Sequence, residues 1–174
     1  MDEYRKAAEN IKHDRLRAFY RALEYFKLNP INALVIGSER STDVNGIYGD
    51  GWFSFYLGFH IERYGGSLLI CDTDPEGLKR GREMLSDFYG RIKIDHVVAD
   101  GKDVIDKQRF NLVYLDGGDD PFETLVQFEK VNRKEALIFC DDYHGKGVEL
   151  AKRHKDYEII CCNWLHKMAI YYPT

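Results

Sequence analysis

The sequence predicts an α/β protein in which a doubly wound, mostly parallel sheet of seven strands carries helices on both faces. Short, fully apolar runs typical of buried parallel strands alternate with longer runs whose apolar residues recur at helical spacing. Only five residues, 163–167, separate the last two strand-like runs. A parallel crossover needs a dozen or more residues, so we expect the last strand to be antiparallel.

The size and charge of the chain limit its class. Its 174 residues, 44% of them apolar, suit one domain, with a helix over residues 1–28 before an α/β core over 31–174. A net charge of -4 argues against nucleic acid as a partner. No run approaches the roughly 20 apolar residues needed to cross a bilayer, and the amino terminus is charged, so we expect a cytoplasmic protein that does not contact membrane.

The leading segment predicts an extra amino-terminal helix, because apolar residues recur at helical spacing between Ile11 and Phe26, with lysine and arginine on the other side. Pro30 ends this run. The next residues, INALVIG at 31–37, are apolar throughout and predict a strand buried on both faces.

Strands and helices then alternate. Two helix starts carry an acid before a proline at the first helical position, Asp74-Pro75 and Asp120-Pro121, and Glu123 completes a capping box with Asp120. The predicted strands are residues 31–37, 67–71, 92–99, 110–115, 136–140, 157–162 and 168–172. The predicted helices are residues 2–27, 52–64, 75–88, 102–107, 121–131 and 147–154.

The cysteines are predicted to be reduced core residues. Each of them, Cys71, Cys140, Cys161 and Cys162, falls in an apolar strand-like run, and no C-x-x-C spacing is present. The adjacent Cys161 and Cys162 would point to opposite faces of the sheet, which disfavours a disulfide between them.

Five of the predicted strands end at, or within a residue or two of, a glycine or a carboxylate. In a parallel α/β sheet, ligands bind in the crevice beyond the carboxyl ends of the strands, so these groups should converge on one pocket. The residues are Gly37, Asp72, Asp100, Asp116 and the pair Asp141-Asp142.

The long loop after the first strand, GSERSTDVNGIYGDGW at 37–52, is the first candidate ligand loop. Its glycines permit close backbone approach, and the helix that follows offers free N–H groups. The spacing is not the G-x-G-x-x-G of dinucleotide sites, which places an NAD oxidoreductase last among the functions considered. A surface excursion without a ligand remains the alternative.

The acids after the second and third strands differ in whether an ordinary structural role could explain them. Asp72 ends a strand and can accept both hydroxyls of a ribose, whereas Asp74 has the ordinary role of a helix cap. Asp100-Gly101 could meet an adenine amino group or form a simple turn, because Asp-Gly is a common turn dipeptide.

The order of these pieces resembles the class I S-adenosylmethionine-dependent methyltransferases, a Rossmann-like family. The resemblance covers residues 31–174 and rests on VIGSERSTDVNGIYGDGW, ICDTDPEGLKRGREML, VVADGKD, LVYLDGGDDPFETL and ALIFCDDYHGKG. The small-molecule or sugar-tailoring branch is the most similar, since its fourth strand ends in Asp-Gly and its fifth in a double acid. The implied sheet has seven strands with the last one reversed.

The resemblance implies a cofactor, S-adenosylmethionine, and a set of residues that bind it. Gly37, Ser38 and the loop to Gly49 and Gly51 would surround the methionine part. Asp72 and Thr73 would bind the ribose, Asp100 and Gly101 would lie near adenine, and Asp116 would contact the cofactor. The chain departs from the family at residues 38–48, which resemble an insertion, and at Gly118-Asp119, where the branch often has a histidine, so no general base is carried over at that place.

Asp116, Asp141 and Asp142 form a possible metal site. Carboxylates gathered at adjacent strand ends repel one another unless they are protonated, solvated or neutralised by a cation. Mg²⁺ suits such oxygen ligands and would clamp the vicinal oxygens of a substrate, as the resemblance to metal-dependent oxygen methyltransferases also implies. In the alternative, Asp116 touches the cofactor, Asp141 points to the substrate and Asp142 caps a turn.

The loop after the double acid supplies the remaining catalytic candidates. His144 is the best available base for taking a proton from a hydroxyl, and Lys146 could anchor an anionic substrate. A solvated histidine and lysine are the alternative.

Three functions stay open on these grounds. The first is methyl transfer from S-adenosylmethionine, on oxygen of a small molecule or sugar, with metal assistance left open. The second is a methyltransferase-like protein that binds the cofactor without transfer, and the third is a metal-dependent hydrolase or hydroxylase using the strand-end acids. A small-molecule substrate is expected as the partner, and a homo-oligomer is left open.

Overall fold

The computed structural model describes residues 20, 23–38, 53–161 and 167–174. The strands are β1 (Ile31–Ile36), β2 (Gly66–Asp72), β3 (Lys93–Val98), β4 (Leu112–Leu115), β5 (Leu137–Cys140), β6 (Glu158–Cys161) and β7 (Lys167–Tyr171). The helices are α1 (Phe53–Tyr64), α2 (Pro75–Met84), α3 (Pro121–Lys130) and α4 (Val148–Arg153).

The strands form one sheet in the order β3-β2-β1-β4-β5-β7-β6. Strands β1 to β5 pair in parallel, while β7 lies antiparallel to both β5 and β6. The prediction of a seven-stranded, mostly parallel sheet with an antiparallel last strand is therefore confirmed. Because the strand order reverses between β1 and β4, the crevice above their carboxyl ends is the switch point where such sheets bind ligands.

Two apolar cores lie on the two faces of the sheet. Alternation along β1 sends Ala33 and Val35 to one face and Leu34 and Ile36 to the other. The first core is closed by α1, α2 and residue Phe26 of the leading helical segment, and the second by α3, α4 and the residues around Ile105. Burial of the strands on both faces explains their continuous apolar sequences.

The helix boundaries follow the capping residues. The carboxylate of Asp74 accepts hydrogen bonds from the N–H groups of Glu76 and Gly77, and that of Asp120 accepts from Phe122 N–H, as predicted. Helix α2 ends at Met84, and a separate 3-10 turn, Ser86–Phe88, follows it where one continuous helix was expected.

The predicted helix over 102–107 is wrong in type, because this stretch forms two 3-10 turns, Gly101–Asp103 and Ile105–Lys107. Of the leading helix, residues 20 and 23–26 are helical and the rest lies outside the described residues.

Two of the cysteines can be compared with the prediction. Cys71 and Cys140 are buried and free of disulfides, as expected. The side chain of Cys161 and the whole of Cys162 lie outside the described part of the chain. None of the helices in the described ranges is both long and apolar enough to span a bilayer.

Candidate functional site

The carboxyl ends of β2, β1 and β4 meet at Gly37. Its N–H donates to the carbonyl oxygen of Cys71 at 2.9 Å, and the N–H of Asp116 donates to the carbonyl oxygen of Ile36 at the same distance. Asp72, the last residue of β2, and Asp116, directly after β4, thus lie at the ends of the two strands that flank β1.

Gly37 itself is required by its backbone and by its neighbours. Its φ is +101°, a conformation that L side chains rarely adopt, and a Cβ there would lie 2.7 Å from the carbonyl oxygen of Asp116. The absence of a side chain keeps the backbone of β1 and the segment after β4 in close approach, and leaves the floor of the crevice open.

Asp72 is held at the end of β2 by three donors. One carboxylate oxygen accepts from the N–H of Ser38 at 2.7 Å and from its hydroxyl at 2.5 Å, and the other accepts from the N–H of Asp74 at 2.9 Å. Asp72 therefore fixes the first residue of the loop that follows Gly37. Carboxylate oxygens have about four lone-pair sites, so Asp72 keeps acceptor capacity for a ligand hydroxyl.

Asp100 caps the 3-10 turn after β3. Its carboxylate accepts from the N–H of Lys102 at 3.0 Å and from the Lys102 ammonium at 2.7 Å. Burial acts to raise the pKa of Asp100, but the hydrogen bonds from Lys102 and Gln127 outweigh it, and the net pKa is lowered. The carboxylate is ionised at neutral pH.

Gly101 packs directly on β1. A Cβ at this position would lie 2.6 Å from Cδ1 of Ile36, and one at Gly117 would lie 2.7 Å from Cγ2 of the same side chain. The two glycines let the segments after β3 and β4 pack closely against the Ile36 side chain. Both segments therefore line the same cleft.

A cleft of about 70 Å³ lies at this switch point. Its described lining consists of Ile36, Gly37, Asp72, Thr73, Ala99, Asp100, Gly101, Gly117, Gly118, Glu123 and Gln127. The structure thus brings together the predicted cofactor residues Gly37, Asp72, Thr73, Asp100 and Gly101. Ser38 contacts Asp72 beside it, while Gly49 and Gly51 lie outside the described residues.

Sequence reasoning missed the contribution of α3 to the cleft. Glu123 and Gln127 both line it from one face of this helix, since residues four apart are neighbours on a helix surface. Glu123 was interpreted only as part of a capping box. A buried glutamine beside Thr124, Leu125 and Phe128 was the signal available, because an amide on an apolar helix face needs a polar partner.

The predicted Mg²⁺ site is not supported. Among the described residues, no group of three or more histidine, cysteine, aspartate or glutamate side chains could hold a metal ion. The Lys146 ammonium lies 2.7 Å from the Asp116 carboxylate and 3.0 Å from the Asp116 carbonyl oxygen, so a protein cation neutralises this acid. Asp141 is buried and accepts from the hydroxyl of Tyr114 at 3.0 Å.

Lys146 was predicted to anchor an anionic substrate, and this role stays a prediction. The residue is 7% exposed and its ammonium is engaged with Asp116 across the loop after β5. This contact ties the loop to the end of β4. Among the described residues nothing supports the metal site, so the metal-dependent hydrolase hypothesis is not favoured.

Asp142 and His144, the two other candidates after β5, lie in different local environments. Asp142 has a φ of +43°, and its N–H donates to the Asp141 carboxylate at 2.9 Å, so the double acid forms a tight turn. His144 is exposed, with its ring 5.8 Å from that of Tyr143. Neither His144 nor Asp141 is among the described residues that line the cleft.

Comparison with known proteins shows that the fold of this chain is similar to that of solved structures. No protein-family model matches the chain and no curated protein matches its sequence. The structure is similar to a mutant of MtNAS in complex with S-adenosylmethionine, with a TM-score of 0.59 and 11% identity over 92% of this chain and 62% of that one. The chain therefore spans 62% of the length of MtNAS.

Two shorter proteins show the same likeness. The N-methyltransferase NodS from Bradyrhizobium japonicum gives a TM-score of 0.59 and 13% identity, over 91% of this chain and 96% of that one. A ribosomal protein methylase from Lactobacillus delbrueckii subsp. bulgaricus gives 0.56 and 14%, over 87% and 74% of the two chains. The chain therefore has the Rossmann-like fold found in S-adenosylmethionine-dependent methyltransferases.

Proposed function

We propose that the protein is an S-adenosylmethionine-dependent methyltransferase. The observation that carries the proposal is the convergence of Gly37, Asp72 and Asp100-Gly101 on one cleft at the switch point of the sheet. The fold alone would not suffice, because function depends on the site and not on the scaffold.

The residues present fit an adenosyl cofactor. The side-chain-free position at Gly37 leaves room for a ligand to approach the backbone of β1 closely. Asp72, at the end of β2, has the position and the acceptor chemistry to bind ribose hydroxyls. When bound, S-adenosylmethionine supplies an already activated methyl group, so the protein mainly has to align an acceptor and exclude water.

We propose further that the acceptor is an oxygen of a small molecule or sugar. The resemblance of the strand-end motifs to the small-molecule branch supports this, as does the acidic net charge of -4, which disfavours a nucleic-acid substrate. His144, exposed on the loop after β5 at the same edge of the sheet, is the proposed base for the acceptor hydroxyl. We place the activity in the cytoplasm.

The first experiment tests cofactor binding by calorimetry with S-adenosylhomocysteine, using an Asp72→Ala variant. We expect the wild-type protein to bind and the variant to bind at least tenfold more weakly, because it loses the ribose acceptor and the residue that fixes Ser38. Ethylenediaminetetraacetate should not change the affinity, since Lys146 already neutralises Asp116.

Asp74→Ala is the matched control. It removes an acid two residues away whose carboxylate caps α2, which should lower the free energy of unfolding by about 1 kcal/mol and leave the affinity unchanged. Absence of binding by the wild-type protein contradicts the proposal. Transfer is then assayed with methyl-labelled cofactor and a panel of hydroxylated small molecules and sugars, in wild-type protein and in His144→Gln.

A further inference from the structure

Strand β3 leaves one edge of the sheet unpaired. It stands at the end of the strand order and pairs with β2 alone. Its other edge therefore presents a row of backbone N–H and C=O groups with which no strand of the described chain pairs. Such an edge is a template for a further strand unless the sequence blocks the pairing.

The sequence of β3 does not block pairing. The strand, KIDHVV at 93–98, contains no proline, and the β-branched residues Val97 and Val98 are exposed at its carboxyl end. Lysine is one of the residues with which natural proteins protect such edges. Here, however, an acid follows Lys93 two positions later, at Asp95, so the strand carries both signs of charge.

Lys93 and Asp95 lie on the same face of β3. Side chains alternate along a strand, and these two residues are paired in register with Ser67 and Leu69 of β2. Both charged side chains are exposed, and neither has an ion pair or a side-chain hydrogen bond in the part of the chain that the structure describes. On the opposite face, Ile94 packs against the first core. The free charges and the apolar side chain are thus separated by face.

A second copy of the chain suits this edge because the strand can pair with itself. Two identical strands related by a twofold axis normal to the sheet run antiparallel, and residues directly opposite each other point to the same face. Because faces alternate along the strand, the axis must pass through a residue and not between two residues. Each choice of that residue defines one register.

Charge discriminates among these registers. An axis at Lys93 or Asp95 sets that charge against its own copy, and an axis at His96 leaves Asp95 opposite Val97. An axis at Ile94 sets Lys93 of each protomer opposite Asp95 of the other, with Cβ atoms about 5 Å apart, where opposite charges attract. It also sets Ile94 against its own copy, which extends the first core across the axis.

We propose that the protein forms a twofold dimer in which the β3 strands of two copies pair antiparallel around Ile94. The two seven-stranded sheets then become one continuous sheet, with residues 92–96 of each protomer in the new pairing. Two pairs between Lys93 and Asp95 hold the register. The interface goes beyond the proposed function and does not depend on it. Because one pair of short strands buries little surface, we expect a dissociation constant in the micromolar range.

Sedimentation velocity of the full chain tests the dimer. Wild-type protein should change from monomer to dimer as its concentration rises to about 100 µM. Asp95→Lys and Lys93→Asp each convert both attractive pairs into repulsive ones, and each should raise the dissociation constant about tenfold or more. The double variant Lys93→Asp/Asp95→Lys exchanges the charges and keeps them complementary, so it should restore the wild-type dissociation constant.

Lys134→Asp is the matched control, because it makes the same change of charge as Lys93→Asp at an exposed residue outside β3. Its dissociation constant should equal that of the wild type. A wild-type protein that stays monomeric overturns the inference. So does a dimer that the single variants leave intact, or a double variant that stays as weak as they are, since either result excludes the pairing of Lys93 with Asp95. If circular dichroism shows that one single variant does not fold, the other single variant and the double variant decide.

Discussion

Two constraints exclude a side chain at position 37: the backbone conformation of Gly37 and its close contact with Asp116. Its φ is +101°, and a Cβ would lie 2.7 Å from the carbonyl oxygen of Asp116. Gly90 shares the first constraint without the second, because its φ is +79° and no heavy atom lies within 4 Å of its added Cβ. A comparison of Gly37 with Gly90 therefore separates the cost of backbone strain from the cost of crowding by neighbouring atoms.

We expect Gly90→Ala to lower the free energy of unfolding by about 1 kcal/mol, the cost of a non-glycine residue at positive φ. Gly37→Ala should cost about 2 kcal/mol more, because the backbone of β1 or of the segment after β4 must also shift. Urea unfolding of both variants measures the difference. Equal losses for the two would show that the contact with Asp116 is not rigid.

At the scale of elements, Lys146 joins the loop after β5 to the end of β4. Its side chain is 8% exposed and that of Asp116 is 24% exposed, so the pair is partly shielded from water. Removing one partner of a buried pair leaves a charge that the surroundings solvate poorly, and this costs more than removing both. The two side chains are therefore expected to be energetically coupled at the carboxyl ends of the strands next to the cleft.

Lys146→Met should lower the free energy of unfolding by about 2–3 kcal/mol, and adding Asp116→Asn should restore a large part of it. A double-mutant cycle in urea measures this coupling. Lys152, in an exposed ion pair with Glu149, is the control, and Lys152→Met should change stability by less than about 0.5 kcal/mol. Additive effects of the Lys146 and Asp116 variants would contradict the coupling.

The elements themselves were largely predictable because their signals are local. Apolar runs mark β1 to β5, and an aspartate cap followed by proline marks α2 and α3. A connection too short for a crossover fixes the direction of β7. The stretch over 101–107 was predicted wrongly, since so short a segment carries no full helical period with which to separate an α-helix from 3-10 turns.

The site was predictable only in part. The residues at strand ends, such as Asp72 and Asp100, follow from the topology of the sheet alone. The Lys146–Asp116 pair joins positions 30 residues apart, and Gln127 lines the cleft from helix α3. Such contacts depend on the packing of elements, which no periodic pattern in the sequence encodes. The possible metal site is not supported among the described residues, where the Lys146 ammonium pairs with Asp116.

For the molecule as a whole, buried His60 and partly buried His96 contribute to the response of stability to acid. Burial and, less strongly, the Arg82 guanidinium lower the pKa of His96 to about 4, against the smaller opposing effect of Asp95. Burial likewise lowers the pKa of His60 below its usual value, although the hydrogen bond to the carbonyl oxygen of Asn29 acts in the other direction. Both rings are therefore neutral in the native protein at neutral pH.

The sign of the effect follows from proton linkage. Unfolded histidine has a pKa near 6.5, so the unfolded chain binds a proton below that pH. In the native protein His96 is protonated only as the pH approaches 4. Stability should be constant above about pH 7 and fall as the pH drops from about 6.5 to 4. The wild-type protein should show this decline, and His96→Gln should flatten it, because glutamine takes up no proton. Urea unfolding at four pH values across the window measures both, and an unchanged slope in His96→Gln would assign the acid sensitivity to other groups, His60 first among them.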